Sequence, residues 1–288
     1  MTIIPEDIAI HKPNKILLKK MEETVIKEKI LFQKETDFHN IYVAENDFGR
    51  FIKYLDTYQA GYINSKNYKG NLPYINYFLI PYLMNKNIQK ILIIGFGSGI
   101  IVNQYEKIFE KLKIVDIVDI EEYIFPLAQK YFNFKMSEKF NFYLQDALVF
   151  LKTTKRKYDL IVVDIANNEG IEERFIEEDY LKLVKSKLTK KGIFVSNMPS
   201  SVDVFNKKNK LILDLIKKHE KIFLHTDLYN GLTSNKIFYK TFFNIDENIL
   251  DVTNLIIISS QFEFKISKNY EKLSLIGVDI KDYLKDLI

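Results

Sequence analysis

The chain has 288 residues, of which 47% are hydrophobic and 28% charged, and this composition is typical of a soluble globular protein with one or two domains. It contains no cysteine, which excludes disulfides, thiolate metal sites and a cysteine nucleophile and fits a reducing cytoplasm. The formal net charge of +4 comes from 42 basic and 38 acidic residues scattered along the sequence, so nucleic acid is not an expected partner.

The amino-terminal part predicts short strands. The first eleven residues carry acidic side chains and Pro5 and have no long apolar core, so we expect neither a signal peptide nor a membrane span. The turn Asn46-Asp47-Phe48-Gly49 predicts a hairpin. The apolar runs that predict strands are 16–18, 25–26, 29–34, 40–45 and 50–55. We therefore expect a small antiparallel β domain over residues 1–70.

The strongest local pattern begins at Lys90, where a run of isoleucine and leucine leads into Gly95, Gly97 and Gly99. The run predicts a buried parallel strand, and the glycines predict a tight turn into a helix. Glycine permits positive φ and close approach by a ligand, and the next helix offers unpaired N–H groups, so the turn predicts a nucleotide site. Ile100 stands where the dinucleotide fingerprint has its third glycine. The compact G-x-G-x-G form is similar to that of class I S-adenosylmethionine-type enzymes.

An acidic residue, Asp119, follows the next predicted strand and lies twenty residues after Gly99. A carboxylate at this place can accept hydrogen bonds from both hydroxyls of a ribose. Asp146 and Asp164 follow two later predicted strands. Because ligands bind outside the carboxyl ends of the strands in open parallel sheets, these residues predict one site.

The remaining pattern alternates between helices and strands from residue 71 to residue 288. This alternation predicts an open, mostly parallel α/β sheet of Rossmann-like type with helices on both faces. The predicted helices are 75–84, 102–112, 123–132, 147–152, 179–188 with a cap at 190–192, and 207–219. The predicted strands are 90–94, 114–118, 140–144, 158–164, 193–196, 222–228, 236–243 and 255–260.

Several segments resemble the spermidine synthase (polyamine aminopropyltransferase) family, in its divergent branch. Phe48-Gly49-Arg50, followed by Leu55-Asp56-Thr57-Tyr58-Gln59, is similar to the amino-terminal signature of the family, which ordinary methyltransferases lack. The other similar segments are 91–95, 119–121, 127–132, 145–147 and 158–164.

The resemblance implies a role for each matching residue. Asp164 would be the catalytic residue, and Tyr74, Asp164 and Asn167 would bind the substrate amine. Asp119 would bind the ribose of the nucleoside co-substrate, the aminopropyl donor. Asp146 would accept a hydrogen bond from the adenine amine of the same molecule, although Asp146 also suits an ordinary helix N-cap. The full set of expected donor contacts is Gln59, Gly95, Gly97, Gly99, Asp119, Ile120, Glu121, Asp146 and Ala147.

The implied reaction moves an aminopropyl group from decarboxylated S-adenosylmethionine to putrescine or a related amine and releases methylthioadenosine. A carboxylate suits this reaction because it can orient the amine and take its proton. The four histidines show no metal-ligand spacing, so no metal is expected. The family resemblance also implies a homodimer or homotetramer.

Three departures from the family pattern leave two alternatives open. Ser98 stands where the family has an aspartate, Asn167 replaces the second aspartate of the loop after Asp164, and the His-Glu pair expected after Tyr74 is absent. The loss of a carboxylate at Ser98 would suit a methyltransferase that uses S-adenosylmethionine itself. The altered acceptor loop would suit a non-catalytic nucleoside-binding homologue. Glu169, Glu172 and Glu173 are candidates for holding the distal ammonium of an acceptor.

Overall fold

The computed structural model describes residues 24, 26–54, 57–165, 173–200, 210–245 and 253–287. Their amino-terminal part forms a five-stranded antiparallel sheet with the order β1-β2-β3-β4-β5. The strands are β1 Lys29–Glu35, β2 Asn40–Asn46, β3 Gly49–Tyr54, β4 Thr57–Asn64 and β5 Lys69–Asn71. This part confirms the predicted antiparallel β sheet. The strand predicted at 16–18 lies outside the described residues, as does residue 25, and Ile26 is not in a strand.

The hairpin between β2 and β3 forms where the sequence predicts it. The side chain of Asn46 accepts hydrogen bonds from the backbone N–H groups of Phe48 at 2.9 Å and Gly49 at 3.2 Å, which closes the turn locally. The strand β4 then pairs with β3 through an irregular register. Ile52 lies opposite Ala60 and Lys53 lies opposite Tyr58, so the extra residue between them makes a β-bulge.

The rest of the described chain is built on a seven-stranded sheet with the order β11-β12-β10-β9-β6-β7-β8. All neighbouring pairs are parallel except those of β12, which runs antiparallel to β10 and to β11. The strands are β6 Lys90–Ile94, β7 Ile114–Asp119, β8 Phe140–Leu144, β9 Tyr158–Val163, β10 Leu188–Ser200, β11 His225–Tyr229 and β12 Thr253–Ser260. This confirms the open, mostly parallel sheet, whose strand order reverses between the neighbouring strands β6 and β9. A crevice outside the carboxyl ends of the strands is expected at that point.

The described residues form eight α-helices, of which the last follows the final strand. They are α1 Ile80–Met84, α2 Ile100–Ile108, α3 Ile124–Tyr131, α4 Ala147–Thr153, α5 Glu178–Lys187, α6 Lys210–Ile222, α7 Leu232–Phe243 and α8 Glu271–Leu275. The helix predicted over 75–84 begins instead as the 3₁₀ helix Pro73–Leu79 and becomes α-helical only in α1. No described helix combines the length and the apolar character needed to cross a membrane.

The strand predicted over 236–243 is wrong, because these residues belong to α7. The helix ends at Asn244 with φ 53°, the left-handed backbone that is common at the carboxyl end of a helix, and Gly231 precedes it at φ 72°. Phe242 packs against Phe48 and Phe51 of the amino-terminal sheet, with ring centroids 4.9 and 5.8 Å apart. A short run of aromatic residues does not distinguish a strand from a buried helix, and this long-range packing decides the outcome.

The predicted helix cap at 190–192 is also wrong. The helix α5 ends at Lys187, and Leu188 already has the extended backbone of β10. The register between β10 and β9 shifts between Leu188 and Ile193, so the lysines and Gly192 form an irregular stretch of the strand.

The amino-terminal sheet is fastened over the carboxyl edge of the parallel sheet by specific hydrogen bonds. Arg50 donates from Nη1 to the carbonyl oxygen of Tyr131 at 3.0 Å, and the hydroxyl of Tyr131 donates to the carbonyl oxygen of Leu31 at 3.1 Å. The hydroxyl of Thr36 donates to Glu121 Oε2 at 2.6 Å. These contacts hold the amino-terminal sheet against the segment that follows the carboxyl end of β7.

Candidate active site

The glycine turn after β6 brings three parts of the chain into close contact. Gly95 has φ 90°, and a Cβ atom there would lie 2.1 Å from the carbonyl oxygen of Asp164. Gly97 has φ 55°, and its Cβ atom would lie 3.0 Å from that of Ala60 on β4. The turn therefore fits closely against the end of β9 on one side and against the amino-terminal sheet on the other.

The third glycine of the turn, Gly99, has a packing role. It has φ 70°, and a Cβ atom there would lie 2.6 Å from the ring of Phe96 and 2.7 Å from the ring of Phe134. Phe96 and Phe134 are buried and pack edge to face with centroids 4.9 Å apart. The absence of a side chain at Gly99 thus accommodates an aromatic cluster behind the turn, and a ligand contact there stays a prediction.

A comparison of two glycine variants tests how closely the turn fits. We expect Gly95→Ala to lower the free energy of unfolding by about 3 kcal/mol or more, because it combines a strained φ with a backbone collision. Gly277→Ala is the matched control, since Gly277 has φ 80° and no atom within 4 Å of its Cβ position. Gly277→Ala should lower the free energy of unfolding by only roughly 1–2 kcal/mol, because its effect is limited to left-handed backbone strain. Urea unfolding measures both, and equal losses would contradict the close contact with Asp164.

Asp119 ends β7 and is bound to the glycine turn. Its Oδ2 atom accepts the backbone N–H of Phe96 at 2.7 Å, and its Oδ1 atom accepts that of Glu121 at 2.9 Å. Burial raises the pKa of Asp119 from 3.8 to about 6. The two backbone N–H groups lower this pKa, whereas the negative charge of Glu121 raises it further. Asp119 is therefore an oriented anion at neutral pH, close to the turn.

Asp164 lies directly after β9 and is held from both sides. Its Oδ1 atom accepts a hydrogen bond from Asn197 Nδ2 at 2.8 Å, and its Oδ2 atom accepts one from the hydroxyl of Tyr74 at 3.1 Å. Burial raises the pKa of Asp164 from 3.8 to about 6, and the two donors oppose this rise. The carboxylate is thus fixed in orientation and is closer to the pKa of a useful base than an exposed aspartate would be.

Tyr74 contacts both Asp164, the candidate catalytic residue, and Gln59, which is expected to contact the aminopropyl donor. Its hydroxyl lies 3.0 Å from the carbonyl oxygen of Gln59, which is the extra residue of the bulge in β4. Burial and then the adjacent Asp164 raise the pKa of Tyr74 well above its ordinary value, so the phenol stays protonated and can donate. The structure therefore brings Gln59, Tyr74 and Asp164 together.

Asn197 is a site residue that the sequence pattern does not reveal. It lies on β10 one residue after Ser196, which pairs with Val163 at the end of β9. Its side chain is 3% exposed, and its Oδ1 atom has no hydrogen-bond partner among the described residues. The signal in the sequence is a single polar residue after a buried run, and only the register of β10 on β9 places it beside Asp164.

Tyr54 also enters the site without having been predicted, and it comes from the amino-terminal sheet. Its ring stacks on that of His39 with centroids 3.9 Å apart. Burial, followed by the charges of Asp119, Glu121 and Asp164, raises the pKa of Tyr54 well above its ordinary value. Tyr54 is therefore a neutral phenol close to three carboxylates.

Glu121, which is expected to contact the aminopropyl donor, lies in the interface between the two sheets. It is fully buried, and its carboxylate accepts the hydroxyl of Thr36 at 2.6 Å and the backbone N–H of Tyr123 at 3.2 Å. His39 Nδ1 lies 3.6 Å from Glu121 Oε2. The carboxylate is thus already engaged by the loop between β1 and β2, while Ile120 beside it is only half-buried.

Asp146 is the N-cap of α4. Its Oδ1 atom accepts the backbone N–H groups of Leu148 at 2.9 Å and Val149 at 3.1 Å, and its Oδ2 atom pairs with Arg174 Nη1 at 2.8 Å. Burial acts to raise the pKa of Asp146, but these donors outweigh it and the pKa lies below its ordinary value. Ala147 follows as the first, buried residue of the helix. The capping role is observed, and the adenine contact stays a prediction.

The predicted acceptor loop lies mostly outside the described residues. Asn167, Glu169 and Glu172 are among the residues that are not described, and only the backbone of Glu173 is. In the described residues, no lysine or arginine forms an ion pair with Asp119 or Asp164. With the charge of Glu121 nearby, the described part of the site attracts cations.

Comparison with known proteins connects this geometry to a family. A family model described as the spermine/spermidine synthase domain matches residues 78–234, which is more than half of the chain. The chain is 28% identical over 210 residues to a polyamine aminopropyltransferase of Buchnera aphidicola, and the match covers 71% of this chain and 70% of the relative. A polyamine aminopropyltransferase of Clostridioides difficile is 28% identical over 209 residues, covering 70% and 71%.

A solved structure supports the fold. The spermidine synthase from Thermotoga maritima superimposes with a TM-score of 0.66 at 15% sequence identity, and the match covers 89% of this chain and 81% of the other. At this identity the similarity concerns the fold alone.

Proposed function

The chain belongs to the spermine/spermidine synthase family, and from this premise we propose that it transfers an aminopropyl group from decarboxylated S-adenosylmethionine to putrescine or a related amine. The relatives are named as transferases of this kind, which favours aminopropyl transfer over a methyltransferase and over a non-catalytic homologue. The observation that carries the proposal is the position of Asp164 between the Tyr74 hydroxyl and the Asn197 amide.

The donor would lie across the carboxyl ends of the strands. Asp119 would accept hydrogen bonds from the ribose hydroxyls, and Asp146 would accept one from the adenine amine. The turn from Gly95 to Gly97 would lie beside the aminopropyl chain. Decarboxylated S-adenosylmethionine carries a sulfonium and an ammonium and has no carboxylate. The charges of Asp119 and Asp164 attract both cations, whereas they would repel the carboxylate of S-adenosylmethionine.

The acceptor amine must lose a proton before it reacts, because an ammonium has no lone pair. The anionic Asp164 attracts the ammonium and takes its proton, while the free Oδ1 atom of Asn197 accepts a second N–H and fixes the amine. The amine lone pair then attacks the methylene next to the sulfonium. A C–N bond forms and a C–S bond breaks, and the bonding electron pair returns to sulfur, which leaves neutral methylthioadenosine.

A pH profile of Tyr74→Phe tests the hydrogen bond to Asp164. The tyrosine hydroxyl lowers the pKa of Asp164, so its removal should move the acid limb of kcat/KM to higher pH. We also expect kcat/KM at its optimum to fall roughly 10- to 100-fold, as for a lost hydrogen bond to a charged group. Tyr62→Phe is the control, because Tyr62 is an exposed tyrosine of β4. An acid limb that stays in place in Tyr74→Phe would count against this role.

The choice of donor is tested by calorimetric titration with decarboxylated S-adenosylmethionine, S-adenosylmethionine and methylthioadenosine. We expect the decarboxylated donor and methylthioadenosine to bind, with S-adenosylmethionine weaker by roughly tenfold or more, since a carboxylate would meet two anions. Equal or tighter binding of S-adenosylmethionine would show that the site does not select a decarboxylated donor.

We propose a cytoplasmic homodimer or homotetramer, as the family resemblance implies and the absence of cysteine allows. Light scattering on the purified protein measures the mass in solution. A monomer at micromolar concentration would contradict the oligomeric part of the proposal.

A further inference from the structure

The carboxylate of Asp146 has no oxygen atom free of protein contacts. Its Oδ1 atom is used by the two backbone N–H groups at the start of α4, and this fixes the carboxyl group in place. Its Oδ2 atom is 2.8 Å from Arg174 Nη1, and the guanidinium lies over the ring of Phe175 at 4.7 Å. The two charged side chains are 23% and 42% exposed, so the pair is open to solvent and to exchange with a ligand.

The surroundings of Asp146 suit a flat apolar ring that carries one hydrogen-bond donor. Leu144 at the end of β8 is 56% exposed, and Val149 in the first turn of α4 is 46% exposed. These apolar side chains lie two residues before and three residues after the carboxylate. Because Asp146 Oδ1 already accepts two N–H groups, a ring bound beside Asp146 would place its donor at Oδ2, the atom that Arg174 contacts.

We propose that Arg174 determines how tightly, and how selectively, the donor nucleoside binds, because it competes with the adenine amine for Asp146 Oδ2. The inference rests on the proposed function, which places adenine at Asp146. Binding then exchanges the ion pair with Arg174 for a hydrogen bond from the uncharged adenine amine to the carboxylate. Since a guanidinium has only donors, Arg174 would also favour a base with a carbonyl oxygen in place of the amine and so reduce discrimination between the two.

The competition should make the affinity for methylthioadenosine depend on salt concentration. Methylthioadenosine is neutral, so salt should affect its binding mainly through the protein. Added salt screens the exposed pair between Arg174 and Asp146 and releases Oδ2, so the wild-type protein should bind methylthioadenosine more tightly at high ionic strength. An exposed pair of this kind corresponds to a factor of roughly two to five in affinity.

The test is calorimetric titration of methylthioadenosine and its 6-oxo analogue, methylthioinosine, into wild type, Arg174→Gln and Lys221→Gln. Lys221 is the matched control, because it forms an exposed ion pair with Glu178 at 2.8 Å and not with Asp146. We expect Arg174→Gln to bind methylthioadenosine roughly two- to fivefold more tightly, to lose the salt effect, and to discriminate more strongly against methylthioinosine. The control should match wild type.

The outcomes separate this inference from the proposed function. If Arg174→Gln binds methylthioadenosine as tightly as wild type or more weakly, Arg174 does not compete and the inference is overturned. If folded wild-type protein binds no methylthioadenosine at all, the nucleoside site itself is refuted and the inference falls with it. Far-UV circular dichroism shows that the variants keep their fold.

Discussion

Asp164→Asn should reduce kcat roughly 10²- to 10⁴-fold and, at the same time, make the fold more stable at neutral pH. The variant cannot take a proton from the acceptor ammonium, so the attacking lone pair does not form. Its amide can still accept from Tyr74, and the side chain of Asn197 can turn over so that its free Oδ1 atom becomes an acceptor. The hydrogen-bond network thus survives while the proton acceptor is lost.

The stability gain follows from the pKa of Asp164. The folded pKa of about 6 lies above the ordinary value of 3.8, so the fold favours the protonated form. The unfolding free energy of wild type should therefore fall as pH rises from about 4 to about 6 and stay low above that. Asp164→Asn lacks this contribution and should gain about 1–2 kcal/mol at pH 7, after an allowance for partial exposure. It keeps the similar contribution of Asp119.

Single-turnover kinetics and urea unfolding across pH measure the two effects together. Asp159→Asn is the control, because Asp159 lies near the start of β9, the strand that Asp164 follows, and accepts the backbone N–H of Gln89 at 3.0 Å. The control should lose stability and keep its turnover per folded molecule. An Asp164→Asn protein that turns over at the wild-type rate would remove Asp164 from the mechanism.

Asp119→Asn should weaken the binding of methylthioadenosine roughly 100-fold, because charge-assisted hydrogen bonds to the ribose hydroxyls would be lost. Asp119 also holds the backbone N–H groups of Phe96 and Glu121, so a general loosening of the turn could lower affinity as well. The 2′-deoxy analogue of methylthioadenosine separates these effects, as in a double-mutant cycle.

Wild type should prefer methylthioadenosine over its 2′-deoxy analogue, and Asp119→Asn should bind the two about equally. Calorimetry with both ligands gives the four affinities, and Glu122→Gln, at an exposed neighbouring carboxylate, serves as the control. A variant that keeps the full preference for the ribose hydroxyl would show that Asp119 acts only through the glycine turn.

The positions of Asp119, Asp146 and Asp164 at one edge of the sheet follow from sequence because the information is local. Each aspartate follows a short apolar run, and the carboxyl ends of parallel strands meet at one edge. The observed pairing confirms that these strand ends lie at one edge, with β8 beside β7 and with β6, the strand of the glycine turn, between β7 and β9. The glycine turn is predictable for the same reason.

Other site residues depend on contacts between distant parts of the chain. Tyr54 enters the site because the amino-terminal sheet is fastened over the strand ends, and Asn197 enters through the register of β10 on β9. Arg174 reaches Asp146 across 28 residues of sequence. No period or motif encodes these approaches. The strand predicted over 236–243 is wrong for the same reason, because the aromatic residues of α7 pack on the amino-terminal sheet in a helix.

The most direct test of aminopropyl transfer is mass spectrometry of the products after incubation with decarboxylated S-adenosylmethionine and putrescine. We expect methylthioadenosine and an aminopropylated putrescine in equal amounts, with both products from Asp164→Asn reduced roughly 100-fold or more over the same time. No product from wild-type protein that binds both substrates, or a methylated amine formed when S-adenosylmethionine is supplied instead, would contradict it.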